Sequence, residues 1–315
     1  MRSAVLPADR ELTLRVAVTG GSGFIGSHVL DRLHAHGHEP RNVDLRPSPY
    51  ATYDTVIADL LDRDGLRRAF DGCDAVIHLA AVADVNHVAA DPAQAELVNT
   101  HGTATVLDVA RELGTPRVVY GSTIWVYGDG NPGEVLDEDA ALPTPKHLYT
   151  ATKLAGEHYC ATFGVEHTTL RFGIPYGPRA RPATVLAAFV ARALEGSAIT
   201  IAGDGKQSRR FVYVEDLADG CVAALADGAA NRTYNLVGDE SVTVREIADL
   251  VRELVADVPV VHVEGRAGDI QGAAISGARA ARELGWRPTT SFRDGAARYV
   301  AWLTEQSSAP QAVTA

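Results

Sequence analysis

The sequence predicts an α/β fold, in which a doubly wound parallel sheet of the Rossmann type carries a smaller C-terminal α/β lobe. Short apolar or β-branched runs alternate with helical patterns between residues 14 and 170, which is typical of a parallel sheet with crossover helices. After Arg171 this rhythm gives way to proline-rich turns, short strands and further helices. We therefore predict a first domain over residues 12–172, completed by segments returning from the C-terminal half, and a second lobe over residues 173–305. Residues 1–11 and 306–315 are expected to be flexible tails.

The individual elements follow from the spacing of apolar residues. Residues 14–19 form a short apolar run, and the next apolar side chains, at Ile25, Val29, Leu30 and Leu33, have helical spacing. The predicted strands cover residues 14–19, 40–45, 55–58, 74–80, 117–122 and 167–170. The predicted helices cover residues 24–36, 66–70, 93–113, 149–163, 185–194, 215–226 and 244–255.

A glycine-rich turn joins the first predicted strand to the first helix. Gly20, Gly23 and Gly26 stand where one glycine permits a tight bend, one lets the backbone approach a pyrophosphate and one lets the helix pack on the strand. Asp44 ends the second predicted strand, where a carboxylate accepts hydrogen bonds from the adenosine ribose and repels a 2′-phosphate. This pattern indicates a dinucleotide site that prefers NAD, although Arg46 could accommodate the phosphate of NADP.

Tyr149 and Lys153 are separated by four residues on a predicted helix. Residues with this spacing share one helix face, so the ammonium of Lys153 could favour the phenolate form of Tyr149 and lower its pKa. Only three lysines occur among the 29 basic residues, which makes a lysine at this position informative. The pair predicts redox chemistry on a dinucleotide, with Tyr149 as the base.

Composition and charge exclude several classes of function. The net charge of −11 argues against a nucleic-acid partner, since phosphate backbones require a basic surface. No apolar run approaches a membrane span and the N-terminal residues lack a signal-peptide core, so we expect no membrane contact and a cytoplasmic protein. Three widely spaced cysteines indicate small core residues, with neither disulfides nor zinc. His34, His36 and His38 alternate near the end of the first predicted helix. Alternate helical positions point about 200° apart and could converge on a metal only if the helix had ended, so we expect no metal site.

With these residues considered together, the chain resembles the extended short-chain dehydrogenase/reductase family, in its NAD-dependent nucleotide-sugar epimerase/dehydratase branch. The resemblance covers about residues 14–300. It is carried by Asn99 and by the motifs Thr19-Gly-Gly-Ser-Gly-Phe-Ile-Gly26, Ala58-Asp59-Leu60, His78-Leu-Ala-Ala81, Ser122-Thr-Ile-Trp-Val-Tyr-Gly128, Tyr149-x-x-x-Lys153, Pro175-Tyr-Gly-Pro178 and Gly203-Asp-Gly-Lys-Gln-Ser-Arg-Arg-Phe-Val-Tyr-Val-Glu-Asp216.

The resemblance implies roles for particular residues. Thr123 would hydrogen-bond the reacting hydroxyl, Tyr149 would be the base, and Lys153 would hold the nicotinamide ribose. The residues implied in cofactor binding, besides Tyr149 and Lys153, are Gly20, Gly23, Phe24, Ile25, Gly26, Asp44, Arg46, Asp59, Leu60, Leu79, Ala80, Ala81, Asn99, Ser122 and Phe172. The residues implied in substrate binding are Asp84, Thr123, Trp125, Tyr149, Ile174, Arg209 and Arg266, with the two arginines clamping a diphosphate.

Two departures from the family pattern bear on the substrate. Ile174 replaces an asparagine that usually contacts the diphosphate region, and Arg210 replaces an acid. They suggest a repositioned or more anionic substrate. Gly173 leaves space where relatives usually carry an aromatic side chain, and local repacking is the alternative interpretation.

The residues after Thr123 separate the expected activities. The resemblance implies that dehydratases carry an Asp-Glu pair there and decarboxylases a Glu, whereas this chain has Ile124 and Trp125. Neither side chain can transfer a proton, so the expected activity is nucleotide-sugar 4-epimerisation through a transient 4-ketone, in a homodimer by family analogy. A 4-ketoreductase, a decarboxylase or dehydratase, and a non-catalytic dinucleotide-sensing protein are the alternatives.

Overall fold

A computed structural model of the protein describes residues 13–50, 53–131, 133–182, 184–264 and 273–308. The strands in these ranges are β1 (Arg15–Thr19), β2 (Glu39–Asp44), β3 (Asp54–Ile57), β4 (Ala75–His78), β5 (Arg117–Thr123), β6 (Val135–Leu136), β7 (His167–Phe172), β8 (Ile174–Tyr176), β9 (Ile199–Ala202), β10 (Ser208–Tyr213), β11 (Arg232–Leu236), β12 (Ser241–Thr243), β13 (Val260–Val263) and β14 (Ala274–Ile275). The helices are α1 (Phe24–Ala35), α2 (Arg63–Phe70), α3 (Val85–Ala90), α4 (Pro92–Glu96), α5 (Gly102–Leu113), α6 (Leu148–Thr162), α7 (Val185–Leu194), α8 (Val214–Ala223), α9 (Val244–Leu254), α10 (Ala278–Glu283) and α11 (Phe292–Ser308).

Seven parallel strands form the large sheet, in the order β3-β2-β1-β4-β5-β7-β11. The predicted doubly wound sheet is therefore confirmed. The strand order reverses between β1 and β4, and ligands of such sheets bind outside the carboxyl ends of the strands at this switch point. The last strand of the sheet, β11, comes from the C-terminal half of the chain and pairs with β7.

The sheet is covered on both faces because the side chains of a buried strand alternate between them. Val16 and Val18 of β1 belong to the cluster that packs against α1 and α8. Ala17, between them, belongs to the opposite cluster, which packs against α2, α5 and α6. The three cysteines are buried and free, as predicted for small core residues.

A separate group of elements from the C-terminal half has its own apolar core. Strands β8, β10 and β12 form one small sheet, β9 and β13 another, and α7, α9 and α11 pack beside them. The ring of Tyr176 lies 4.8 Å from that of Phe292 in this core. Strand β8 was not predicted, because Pro175 at its centre lacks the backbone N–H that a central strand donates.

Other predicted boundaries differ modestly from the structure. The predicted helix over residues 93–113 forms without a break in helical structure, but not as one α-helix. A π-helical turn, Leu97–His101, joins α4 to α5. The predicted strand over residues 74–80 is shorter and ends at His78. None of the helices in the described part of the chain is long and apolar enough to cross a bilayer.

Candidate active site

The glycine-rich turn after β1 is too tightly packed for larger residues. Gly20 has φ +73°, and a Cβ atom there would lie 2.8 Å from the backbone nitrogen of Ala80. A Cβ atom on Gly26 would lie 2.1 Å from the carbonyl oxygen of Gly20. Backbone atoms cannot yield to such contacts, so the turn stays narrow and a phosphate can approach the N-terminus of α1. This geometry fits the pyrophosphate of a dinucleotide.

Two acids expected near the adenosine lie at the ends of neighbouring strands: Asp44 is the last residue of β2, and Asp59 follows β3 by two residues. The carboxylate of Asp44 accepts hydrogen bonds from the backbone nitrogens of Ser22, at 3.1 Å, and Leu45, at 2.8 Å. It is therefore fixed against the glycine-rich turn, as a ribose ligand requires. The side chain of Arg46 is exposed, and its carbonyl accepts from the hydroxyl of Ser22. Asp59 is also exposed, beside the buried Leu60.

Polar side chains shape the segment after β4, which was expected to pass along the cofactor. The hydroxyl of Thr19 accepts hydrogen bonds from the backbone nitrogens of Leu79 and Ala80. Asn99 holds Val82 from both sides, since its Oδ1 accepts from the Val82 nitrogen and its Nδ2 donates to the Val82 carbonyl. Asn99 lies in the π-helical turn, a feature frequent at functional sites. Its action on this segment is through the backbone.

The three predicted catalytic residues, Thr123, Tyr149 and Lys153, come from β5 and from the helix packed on it. Thr123 is the last residue of β5, and Tyr149 and Lys153 lie in the first two turns of α6, which packs on that strand. The ammonium of Lys153 donates to the carbonyl of Gly121 at 2.8 Å and lies 4.9 Å from the ring centre of Tyr120. The ring of Trp125 meets that of Tyr149 edge to face, at 5.9 Å.

The direction predicted for the pKa of Tyr149 was wrong for the protein chain alone. Burial raises the pKa of Tyr149 to about 12, opposed only in part by the charge of Arg181. Burial also lowers the pKa of Lys153 to about 8. The physical reason is that desolvation disfavours both charged forms, while the Lys153 ammonium is directed to Gly121.

The expected substrate residues are only partly assembled in the described ranges. Asp84 caps α3 and accepts a hydrogen bond from Arg181 at 3.0 Å. Ile174 begins β8, and Arg209 lies on β10, the neighbouring strand. Arg266 lies outside the described residues. Arg181 was missed in the sequence, because nothing in its spacing connects it with Tyr149.

The space expected at Gly173, where relatives usually carry an aromatic side chain, is filled by the protein itself. A Cβ atom on Gly173 would meet the carbonyl oxygen of Leu236 at 3.2 Å and the Cα atom of Val237 at 3.3 Å. The end of β11 therefore occupies this position, and the local repacking weighed as an alternative accounts for the glycine. Phe172, one residue earlier, is buried with its ring against Gly121, at the edge where the cofactor was expected.

These features together define a Rossmann-fold enzyme class that uses a nicotinamide dinucleotide. The chain belongs to the NAD dependent epimerase/dehydratase family, whose model matches residues 16–237. It is 31% identical to a UDP-glucose 4-epimerase of Mycolicibacterium smegmatis, over 93% of this chain and 100% of that protein. It is also 31% identical to a dTDP-glucose 4,6-dehydratase of Streptomyces griseus, over 94% of this chain and 96% of that protein.

A solved structure supports the fold and the cofactor. The UDP-glucose 4-epimerase of Thermus thermophilus, determined in complex with NAD, superposes with a TM-score of 0.82 at 33% identity, covering 92% of this chain and 99% of that one. The cofactor of this family is NAD, and the narrow glycine turn and the fixed carboxylate of Asp44 suit it.

Proposed function

We propose that the protein is an NAD-dependent nucleotide-sugar 4-epimerase. The observation that carries this proposal is the pair Ile124 and Trp125, which follow Thr123 on a 3-10 turn, Ile124–Tyr127. An enzyme that goes on from a 4-ketone to eliminate water or carbon dioxide needs an acid or base for the second step. An apolar residue and an indole supply neither, so the ketone is reduced again at C4.

In the proposed reaction, two of the chain's own side chains act on the sugar 4-hydroxyl. Tyr149 removes the proton of the sugar 4-hydroxyl, and Thr123 hydrogen-bonds the same oxygen. NAD, when bound, supplies the site that accepts and returns the hydride. Because burial raises the pKa of Tyr149 to about 12, proton removal needs positive charge beside the phenol, and Arg181 and the Lys153 ammonium are cations of this region. A hydride returned to the opposite face of the ketone would invert C4.

A dehydratase is the second candidate, favoured by the Streptomyces griseus relative. Its proton chemistry would need an acid outside the 3-10 turn, and Asp84, the N-cap residue of α3, is the candidate. The backbone N–H of Asn86 holds the pKa of Asp84 below its usual value, and Arg181 pairs with the carboxylate. A carboxylate held ionised in this way is a poor proton donor, which leaves the epimerase as the better proposal.

The test is product analysis with a panel of UDP-, dTDP-, GDP- and CDP-sugars. We expect a C4 epimer of unchanged mass with one of these nucleotide classes, and NAD retained on purification because an epimerase regenerates its cofactor. NMR identifies the epimer, and mass spectrometry detects loss of water or carbon dioxide. The Tyr149→Phe variant, which keeps the ring, is the matched inactive control. A product lighter by water would replace the epimerase with the dehydratase, and net consumption of NADH would favour the ketoreductase. A homodimer in the cytoplasm stays a prediction.

A further inference from the structure

Glu157 of α6 and Arg171 of β7 form a buried ion pair beside the candidate active site. The carboxylate of Glu157 accepts hydrogen bonds from Nε and Nη2 of Arg171, at 3.1 and 2.7 Å, and from the hydroxyl of Ser122. The two charged side chains are only 10% and 7% exposed. An apolar pair of similar volume often stabilises a fold at least as well as a buried ion pair. The pair therefore points to a role other than stability.

Glu157 connects the catalytic helix to the strand that carries Thr123. It lies four residues after Lys153, on the same face of α6. Lys153 binds the carbonyl of Gly121, and Glu157 binds the side chain of Ser122, the next residue of β5. Two successive residues of β5 are thus tied to one face of α6, and Thr123 follows immediately. These two contacts fix how far the threonine hydroxyl lies from α6.

Arg171 extends the same network to the turn that carries Trp125. Strand β7 pairs with β5 so that Arg171 is the register partner of Ser122. Its Nη1 donates to the hydroxyl of Tyr127 at 2.8 Å, and its guanidinium lies 4.9 Å from the centre of that ring. Tyr127 ends the 3-10 turn in which Trp125 contacts Tyr149. The ion pair therefore reaches β5, α6 and the turn between them.

We propose that Glu157, itself fixed by Arg171, is a positioning residue that sets the separation of β5 and α6 and keeps a negative charge beside Lys153. The inference rests on the proposed roles of Thr123, Tyr149 and Lys153. Glu157 itself is not assigned a contact with any reacting atom. It acts on the substrate only through these residues. A displacement of about 1 Å in a reacting group can cost about 10²-fold in rate.

The groups facing Lys153 explain why the charge of Glu157 matters. Burial lowers the pKa of Lys153, and Cys160 and Glu157 of its own helix oppose this. Burial raises the pKa of the Cys160 thiol to about 12, so the thiol is uncharged near neutral pH. Within the part of the chain that the structure describes, the other titratable groups facing Lys153 are uncharged there as well: His78 of β4, whose pKa burial lowers to about 3, and the phenols Tyr120 and Tyr149, whose pKa values burial raises. Glu157 is then the acid that keeps Lys153 protonated, and Arg171 of β7 pairs with that acid.

The experiment measures the first hydride transfer alone. Full-length enzyme loaded with NAD is mixed with excess nucleotide sugar from the panel, and the absorbance of the reduced nicotinamide is followed over a single turnover at several pH values. This step is common to the epimerase and the dehydratase. If the wild-type protein reduces NAD with none of the sugars, the proposed function and this inference are both overturned. If the wild-type protein does reduce NAD, the rates of the variants test the role of Glu157 alone.

Three variants separate geometry from charge. Glu157→Gln is expected to slow reduction about 10- to 100-fold with little change in substrate KM, and to move the alkaline limb of the rate to lower pH. Glu157→Asp, which keeps the negative charge, should leave the alkaline limb of the pH–rate profile at its wild-type position. Ser122→Ala leaves the ion pair intact, so it should slow the reaction several-fold without moving the limb.

A matched control tests whether any buried carboxylate would behave this way. Asp216 of α8 is buried and accepts hydrogen bonds from the hydroxyls and backbone nitrogens of Thr289 and Thr290, away from β5 and α6. Asp216→Asn should lower the melting temperature but leave the reduction rate and its alkaline limb unchanged. The proposal is overturned if Glu157→Gln reduces NAD within about threefold of wild type with an unmoved limb, or if Asp216→Asn reproduces its effects. Should Glu157→Gln not fold, a wild-type rate in Ser122→Ala overturns it.

Discussion

Replacement of Gly26 by alanine tests the cofactor cradle most sharply. The new Cβ atom would lie 2.1 Å from the carbonyl oxygen of Gly20, where ordinary contact begins at 3.4 Å, so α1 and the turn must separate by more than 1 Å. Alanine gains up to about 1 kcal/mol of helix propensity, whereas overpacking costs about 1–3 kcal/mol and sometimes more. We expect a net loss of about 1–2 kcal/mol in the free energy of unfolding.

The same displacement moves the N–H groups at the start of α1 away from the position expected for the pyrophosphate. We expect the Kd for NAD to rise at least about tenfold, equivalent to roughly 1.4 kcal/mol. The assays are calorimetric titration of stripped protein with NAD and thermal melting. Gly23→Ala, whose Cβ atom would lie 3.1 Å from the same carbonyl, should show a smaller effect, and Gly228→Ala, in open space, should show none. Wild-type NAD affinity and melting in Gly26→Ala would refute the reasoning.

Three further predictions concern the site. Stripped wild-type protein should bind NAD⁺ more tightly than NADP⁺, and Asp44→Ser should reduce that preference about tenfold by removing the charge that repels a 2′-phosphate. Titration with both cofactors checks this. An NADP⁺ preference in the wild-type protein would show that Arg46, rather than Asp44, determines cofactor choice. Tyr149→Phe should lower turnover roughly 10²–10⁴-fold while NAD stays bound, and turnover within about tenfold would remove the phenol from the mechanism. Arg181→Met should raise the pKa of Tyr149 further and move the acid limb of kcat/KM to higher pH, whereas Arg179→Met, whose guanidinium pairs with Asp31, should leave the limb in place.

Local patterns were sufficient to predict the framework of the fold. Val16 and Val18 alternate with Ala17 in a short apolar run, and the helix that begins at Phe24 has regular apolar spacing. Each of these signals lies within a few residues. Strand β8 was missed because Pro175 disfavours a central strand, and the pairing of Ile174 with Phe211 on β10 depends on residues far apart in sequence. The π-helical turn at Asn99 has no periodic signal at all.

The network around Glu157 illustrates why parts of the site could not be predicted. Glu157 does lie four residues after Lys153, a spacing that could have drawn attention to it. Its partners Ser122 and Arg171 are 35 and 14 residues away, and only the pairing of β5 with β7 brings them together. The pKa of Tyr149 was predicted in the wrong direction for a related reason, since helical spacing shows which residues share a face but not how deeply the face is buried.

The fate of the hydrogen at C4 tests the central claim most directly. Nucleotide sugar deuterated at C4 is incubated with the enzyme, and the product is examined by NMR and mass spectrometry. An epimerase returns the same hydride to C4 of the same molecule, so we expect epimerised product that keeps its deuterium, with none taken from deuterated solvent in a parallel reaction. Solvent deuterium at C5 or C6, or a product that has lost water or carbon dioxide, would show proton chemistry beyond C4 and contradict the epimerase assignment.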